Sequence, residues 1–255
     1  MVEIKTDAAL DAMRVAGRVV ADILRETRAA AGVGVRLNEL DEVAREVLRK
    51  AGATSPFLHY RPDFAPVPYP ASLCVSVNDA IVHGIPGDYR LRDGDLVSVD
   101  CGAEVDGWTG DAAVSFCVGT ARPEDQALLD ATRGALEAGI AAAVAGGRLG
   151  DISHAVGSHA RAAGYGIPQG FGGHGIGRSM HEDPAVPNEG RPRRGFPLRP
   201  GLTLAIEPML LAGGQDGFFT APDGWTLCTT DGSRAAHFEH TVAVTPEGPR
   251  ILTAP

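Results

Sequence analysis

The spacing of hydrophobic residues predicts four helices arranged in two pairs. Apolar residues recur every three or four positions in residues 7–31 and 37–51, which is the period of a helix with one buried face. The same pattern returns in residues 124–145 and 150–163. We expect Asn38 to cap the second helix. Short β-branched and apolar runs follow each pair, so each pair of helices is predicted to lead into strands.

The two helix pairs resemble each other in sequence. Residues 36–52 (RLNELDEVAREVLRKAG) and 148–164 (RLGDISHAVGSHARAAG) both begin Arg-Leu and both end Ala-Gly. Chance similarity between two amphipathic helices is the alternative. Because each copy is preceded by a helix and followed by strands, we predict an α+β domain of two pseudo-symmetric halves, about residues 7–119 and 120–250. A site is expected between the halves.

Residues 96–116 (LVSVDCGAEVDGWTGDAAVSF) predict a β-hairpin. The arms are rich in β-branched and small residues, and Asp106-Gly107 between them is a strong two-residue turn. That turn pairs Asp111 with Gly102 and so puts Asp100 on the same face as Asp111, roughly 7–8 Å away. Two carboxylates on an apolar hairpin repel each other unless a cation lies between them. The alternative is that both are solvated on an exposed face.

Further polar residues stand inside glycine-rich or apolar segments of the second half. The segment GFGGHGIGRSMHEDP (residues 170–184) contains His174 and His181. The segment GLTLAIEPML (residues 201–210) is predicted to be one buried strand with Glu207 near its end. A glutamate in such a run needs a partner.

Two more segments contain candidate residues. AAHFEHTVAV (residues 235–244) is predicted to be another strand, whose alternation puts His237, Glu239 and Thr241 on one face. His83 lies in the turn-rich segment NDAIVHGIPGD. Taken alone, it is best explained as a solvent-exposed turn histidine.

Five of these residues are candidate metal ligands: Asp100, Asp111, His174, Glu207 and Glu239. Each has an ordinary alternative, such as a surface histidine or a salt-bridged glutamate, but strands of this chain repeatedly carry an isolated acid inside an apolar run. Carboxylates with one imidazole and no thiolate favour Mn, Fe, Co or Zn. Four carboxylates exceed the need of one ion, and two ions about 3.5–4 Å apart fit better.

Composition narrows the class of protein. The 255-residue chain has a net charge of −9 and a pI of about 5.3. The one prominent basic cluster is Arg191, Arg193 and Arg194 in a predicted loop, so we expect no nucleic-acid partner. Four cysteines without a CxxC pair indicate a reducing cytoplasm. The N-terminus lacks the apolar core of a signal peptide, and no apolar run approaches 18 residues, so no membrane span is expected.

The motifs that contain these residues resemble those of the type I methionine aminopeptidases, a branch of the peptidase M24 family. The matching segments are SVNDAIVHGIP, VDCGAEVDGWTGDAAVSF, GGHGIGRSMHEDP, LAIEPM and FEHTVAV. The resemblance covers nearly the whole chain. It implies a single catalytic metallopeptidase domain over residues 1–255. Its expected architecture is the pita-bread (creatinase/aminopeptidase) fold, with two helix–helix–strand halves around a central antiparallel sheet.

The resemblance implies a role for each candidate ligand. The five residues would hold two divalent ions, drawn from Co, Mn, Fe, Zn or Ni. Asp100 would chelate one ion, whereas Asp111 and Glu239 would bridge both. Glu207 would bind metal and also act as general base towards the attacking water.

The resemblance also implies substrate contacts. His83 and His181 would contact the substrate or the tetrahedral intermediate rather than the metals, and so would be catalytic together with Glu207. A pocket for the methionine side chain would be formed by Tyr69, Cys74, Met180, Met209 and Trp225. The alternative for these five is plain core packing.

Two residues depart from the pattern of the relatives. Met180 stands where many bacterial relatives have phenylalanine, so the shape of the pocket is expected to differ. His237 stands where many have glutamine, so the surroundings of Glu239 are expected to differ as well.

The implied function is removal of the initiator methionine from nascent chains by a cytoplasmic, monomeric enzyme acting near the ribosome. One alternative is an Xaa-Pro aminopeptidase or dipeptidase of the same fold, but such enzymes usually have a large additional N-terminal domain. The other is a non-catalytic peptide-binding protein of this fold that has lost its metals. Such proteins typically lack several ligands, whereas all five are present here.

Overall fold

Four helices form the outer layer of the protein. The computed structural model describes residues 2–63 and 65–255. The helices are α1 (Asp7–Ala30), α2 (Leu37–Ala51), α3 (Pro123–Ala142) and α4 (Leu149–Ala162), so all four predicted helices are confirmed. None of the helices in the described ranges combines the length and the hydrophobicity that crossing a bilayer requires.

The second helix of each pair begins in the same way. The main-chain N–H of Arg36 donates to the Glu39 carboxylate at 2.9 Å, and that of Arg148 donates to Asp151 at 2.7 Å. An acidic side chain three residues into the helix thus satisfies a main-chain donor at its start. The predicted cap at Asn38 is wrong, because its amide donates to Asp88 instead.

Thirteen strands lie in the described part of the chain. In chain order they are β1 (Cys74–Val77), β2 (Ala80–Val82), β3 (Leu96–Val105), β4 (Trp108–Cys117), β5 (Gly172–Gly175), β6 (Glu182–Pro187), β7 (Thr203–Ile206), β8 (Met209–Leu211), β9 (Phe218–Thr220), β10 (Leu227–Thr229), β11 (Ala235–His237), β12 (Glu239–Thr245) and β13 (Gly248–Ile251).

One large antiparallel sheet dominates the fold. Its strands run in the order β1-β3-β4-β12-β7-β5-β6, and β13 pairs with β12. The central position of β12, late in the chain, joins the strands of the first half to those of the second. Two smaller sheets, β2-β10-β9 and β11-β8, lie beside it.

The predicted hairpin is confirmed as β3 and β4. Asp106 and Gly107 both have positive φ angles, as a two-residue hairpin turn requires. Gly102 pairs with Asp111, in the predicted register. Asp100 lies two residues from Gly102, so its side chain is on the same face of the sheet as that of Asp111.

Two predicted strands are each broken in the structure. The segment 201–210 splits at Glu207-Pro208, because a proline has no N–H to donate to a ladder. The segment 235–244 splits at Phe238, whose N–H donates to the Pro208 carbonyl oxygen at 3.3 Å. The two short pieces, β8 and β11, then pair with each other outside the large sheet.

The helices cover one face of the sheet and bury two hydrophobic cores. Helices α1 and α2 pack on β1, β3 and β4 through side chains that include Val20, Leu40 and Val99. Helices α3 and α4 pack on the strands of the second half through side chains that include Leu128, Ile152 and Leu204. The opposite face is left for the polar residues of the sheet.

Helix α1 lies so close to the segment that follows β13 that Gly17 cannot be replaced without movement. A Cβ atom there would lie 2.1 Å from the carbonyl oxygen of Leu252. We expect Gly17→Ala to lower the free energy of unfolding by about 1–3 kcal/mol, the usual cost of overpacking, despite the better helix propensity of alanine.

The matched control is Gly134→Ala in α3. Its Cβ would meet only the ring of the exposed residue His159, which can move away. Urea unfolding should show Gly134→Ala unchanged or more stable. Equal stabilities for the two variants would contradict the close approach of α1 to the C-terminal segment.

Candidate metal centre and peptide cleft

Five neighbouring strands of the large sheet each bring one candidate ligand to the same cavity. In sheet order, Asp100 comes from β3, Asp111 from β4, Glu239 from β12, Glu207 from the end of β7 and His174 from β5. All five line one cavity of about 240 Å³ on the face of the sheet opposite the helices. The structure thus brings together every residue that the sequence predicted to bind metal.

The ligand atoms are close enough to share ions. One atom each from Asp111, His174 and Glu239 lies within 4.8 Å of the other two. The Nε2 atom of His174 is 3.7 Å from Oε1 of Glu207. These separations suit donor atoms arranged around a cation rather than hydrogen-bonded to each other.

Three of the carboxyl groups each have one oxygen without a partner, and the groups repel one another. Oδ1 of Asp100, Oδ1 of Asp111 and Oε1 of Glu239 are buried without a hydrogen-bond partner among the described residues. Burial, followed by the neighbouring carboxylates, holds the pKa of Asp100, Asp111 and Glu239 well above the usual range. Burial raises the pKa of Glu207 to about 8. Oxygen atoms arranged in this way are the donor set that divalent cations bind.

The ring of His174 is held in the neutral tautomer that can bind a metal through Nε2. Its Nδ1 is 2.9 Å from the main-chain oxygen of Gly175, which can only accept, so Nδ1 donates and Nε2 keeps its lone pair. Burial, then the neighbouring His181, lowers the pKa of His174 to about 3, so the ring is neutral. A Cβ at Gly173 would lie 2.0 Å from the oxygen of Ala205, which explains why the histidine is flanked by glycine.

Polar side chains fix the main chain beneath two of the candidate ligands. The hydroxyl of Thr241 accepts from the Asp111 N–H at 3.0 Å and donates to the Asp111 carbonyl at 2.8 Å. The Asn188 amide donates to the carbonyl of Glu207 at 3.0 Å. The carboxylates are therefore presented from a backbone whose own hydrogen bonds are satisfied.

The wall of the cavity is apolar and contains all five residues predicted for the side-chain pocket: Tyr69, Cys74, Met180, Met209 and Trp225. The Tyr69 hydroxyl donates to the carbonyls of Leu73 and Gly84, and the Trp225 indole donates to Val67. Burial keeps the pKa of the Cys74 thiol above its usual range, so it adds an uncharged sulfur to the wall.

His83 and His181 both line the cavity. His83 directly follows β2, has a φ of 61°, and packs edge-on against Trp225 and Phe171. Burial lowers its pKa to about 4. His181 is more exposed, and its ring lies 4.2 Å from that of His174 and 5.4 Å from that of Tyr60. Neither belongs to the groups of side chains close enough to hold an ion.

The sequence did not single out several residues of this site. Phe57, Tyr60 and Phe171 line the cavity, and the first two come from a segment that is rich in proline and aromatic residues and has no periodic pattern. His237 was noted as a departure from the relatives but not placed in the site. Its Nε2 lies 3.4 Å from Oε2 of Glu207.

A carboxylate–imidazole cluster at the base of a cleft, on a curled antiparallel sheet with helices behind it, is the arrangement of a metal-dependent hydrolase. The model of metallopeptidase family M24 matches residues 11–246, and the chain belongs to this family. The fold is accordingly the pita-bread fold.

Individual proteins similar to this chain have names that are more specific than the family description. Methionine aminopeptidase 1 of Mycobacterium tuberculosis is 55% identical over 96% of this chain and 92% of its own. The crystal structure of methionine aminopeptidase from Thermotoga maritima is 40% identical, with a TM-score of 0.95 and full coverage of both chains. Prolidase from Pyrococcus furiosus shares the fold at 20% identity and a TM-score of 0.78, over 99% of this chain and 65% of its own.

The raised carboxyl pKa values predict how the stability of the metal-free protein varies with pH. Glu207 keeps its proton in the folded state up to about pH 8 but loses it near pH 4.5 when unfolded. The folded state thus binds more protons, and raising the pH favours unfolding, by about 1.4 kcal/mol per pH unit for each such carboxyl.

The window for the measurement is pH 6.5 to 8. Below it, histidines with lowered pKa values such as His174 act in the opposite direction. Urea unfolding of chelator-treated protein should give a lower free energy of unfolding at pH 8 than at pH 6.5. Glu207→Gln should make the free energy of unfolding depend less steeply on pH. A free energy of unfolding that rises from pH 6.5 to pH 8 would contradict the raised pKa values of the buried carboxyl groups.

Proposed function

We propose that this protein is a metal-dependent aminopeptidase that removes the N-terminal methionine from polypeptides. The observation behind this proposal is that five ligand-type side chains meet at the base of a cavity whose wall is apolar and rich in sulfur and aromatic rings. Relatives named methionine aminopeptidase at 41–55% identity over nearly the whole chain support the same activity.

The metal centre would be formed by Asp100, Asp111, His174, Glu207 and Glu239. We propose two divalent ions there, because four carboxylates exceed what one ion needs, and Co, Mn, Fe, Zn and Ni are the candidates. When bound, such ions activate water and polarise the carbonyl of the peptide bond that is cleaved.

The side chains around this centre have distinct tasks in the proposal. Glu207 accepts the proton of the attacking water at its carboxylate, as a general base that lines the cavity. His181, at the mouth of the cavity, donates to the oxyanion that forms on the scissile carbonyl. His83, which also lines the cavity, contacts the substrate near the scissile amide.

The apolar wall would select the first residue of the substrate. Tyr69, Cys74 and Trp225 form a rigid part of it, and Met180 and Met209 add flexible thioethers. We propose that this wall accepts an unbranched methionine side chain and excludes β-branched residues.

The setting of the reaction is part of the proposal. All four cysteines are free, which fits a reducing cytoplasm. We propose a monomer, with residues 1–255 as one catalytic domain of two related halves, acting on nascent chains near the ribosome. The alternative of an Xaa-Pro peptidase has less support, because the likeness to prolidases establishes the fold alone.

The decisive experiment compares peptides that differ only in their first residue. Purified protein, stripped of metal and reloaded with Mn, Co or Fe, should hydrolyse Met-Ala-Ser and should not hydrolyse Val-Ala-Ser or an Xaa-Pro peptide. Comparable kcat/KM for methionine, valine and lysine at the first position would exclude the methionine assignment. Full activity in metal-free protein would exclude the metal mechanism.

A pair of variants should separate the substrate histidine from the metal histidine. His83→Ala should retain its metals by elemental analysis but lose about 10²-fold or more in kcat, because an interaction formed mainly in the transition state is removed. His174→Ala should lose metal affinity. The division of roles is wrong if His83→Ala loses its metals or keeps its kcat.

A further inference from the structure

His237 is a buried imidazole with an unused nitrogen at the metal centre. Its side chain is 1% exposed, and its Nε2 atom has no hydrogen-bond partner among the described residues. That atom lies 3.4 Å from Oε2 of Glu207 and 3.9 Å from Oε2 of Glu239. A buried nitrogen without a partner is costly, so its position beside two carboxylates needs an explanation.

The main chain of His237 is held in place by a buried serine pair. The hydroxyl of Ser115 accepts from the His237 N–H at 2.9 Å and donates to the His237 carbonyl at 2.7 Å. The hydroxyl of Ser98 lies 2.6 Å from that of Ser115. The break at Phe238 takes His237 out of the large sheet, but these bonds fix it against β4. The main-chain position from which the ring extends is therefore determined by the fold.

The distances around His237 fit a shared ion. Bonds of about 2.0–2.2 Å from a cation to nitrogen or oxygen can join donor atoms up to about 4.4 Å apart. Both separations from Nε2 lie within that limit. The carboxylate of Glu207 lies between two imidazoles, because His174 approaches its other oxygen at 3.7 Å.

We propose that Nε2 of His237 is a sixth protein ligand of the metal centre, sharing an ion with Glu207 and Glu239. The inference rests on the proposed function only in requiring that divalent ions bind there. A second imidazole shifts a carboxylate site towards metals that favour nitrogen, such as Zn, Co, Fe and Ni, and away from Mn.

Imidazole nitrogen NMR tests this ligand directly. Metal-bound, protonated and free ring nitrogens have different ¹⁵N shifts, and Zn²⁺ is diamagnetic. Long-range ¹H–¹⁵N spectra of ¹⁵N-labelled protein should be recorded without metal and with two equivalents of Zn²⁺. The signals of His237 are assigned with His237→Gln, or with His237→Asn if the first variant folds poorly.

The expected result is that Nε2 of both His174 and His237 moves to the metal-bound shift. If only His174 responds and Nε2 of His237 carries a proton, the inference is overturned while the metal centre stands. If neither responds, the metal centre and the proposed function fail together.

Calorimetry gives a second readout that does not depend on activity. His237→Gln should weaken Zn²⁺ binding by at least about 10–100-fold and Mn²⁺ binding by less. The matched control is His240→Gln in β12, three residues further along the chain, since Nδ1 of His240 bonds the hydroxyl of Thr253 and its ring is not part of the cluster. Equal losses for both metals, or an equal loss in the control, would overturn the inference.

Discussion

Asp100, Asp111, Glu207 and Glu239 bring four carboxyl groups together at the base of one cavity. Without positive charge between them, burial and mutual repulsion disfavour ionisation of all four carboxyl groups. Keeping these groups together in the folded state therefore lowers the free energy of unfolding. Much of the surrounding structure serves to hold this unfavourable cluster. The helix pairs bury the other face of the sheet, and Thr241 and Asn188 satisfy the backbone beneath the carboxylates.

The part of the site that lies within one short segment, the hairpin with Asp100 and Asp111, could be predicted from the sequence. The turn at Asp106-Gly107 determines the register of the hairpin, and alternation along two arms then places Asp100 beside Asp111. No comparable rule connects Glu239 or His174 to this hairpin, because strand order in a sheet is decided by packing over the whole chain. The sequence indicated those residues as candidates only through their isolated positions in glycine-rich or apolar segments, and the resemblance to a family supported them. The structure shows that their strands belong to the same sheet as the hairpin.

The remaining differences also have physical causes. The spacing of apolar residues predicts that residues 201–210 and 235–244 are continuous strands. That spacing does not reveal that Pro208 has no N–H to donate to a neighbouring strand. The break at Phe238, opposite that proline, is a tertiary effect that alternation alone cannot reveal. The same break determines the surroundings of His237, so its unused nitrogen became evident only in three dimensions. Tyr60 and Phe171 were missed because loop residues follow no periodic pattern.

The position of β12 in the sheet has a consequence for the order of events during synthesis. This strand pairs with β4 on one side and β7 on the other, and it follows both of them in the chain. Translation therefore delivers both partners before the strand that joins them. Four of the five metal-binding candidates precede Glu239 in the chain, yet they cannot be gathered through the sheet until Glu239–Thr245 has left the ribosome. On the proposed function, a protein that trims other nascent chains would itself gain its catalytic centre only after Glu239–Thr245 has been synthesised.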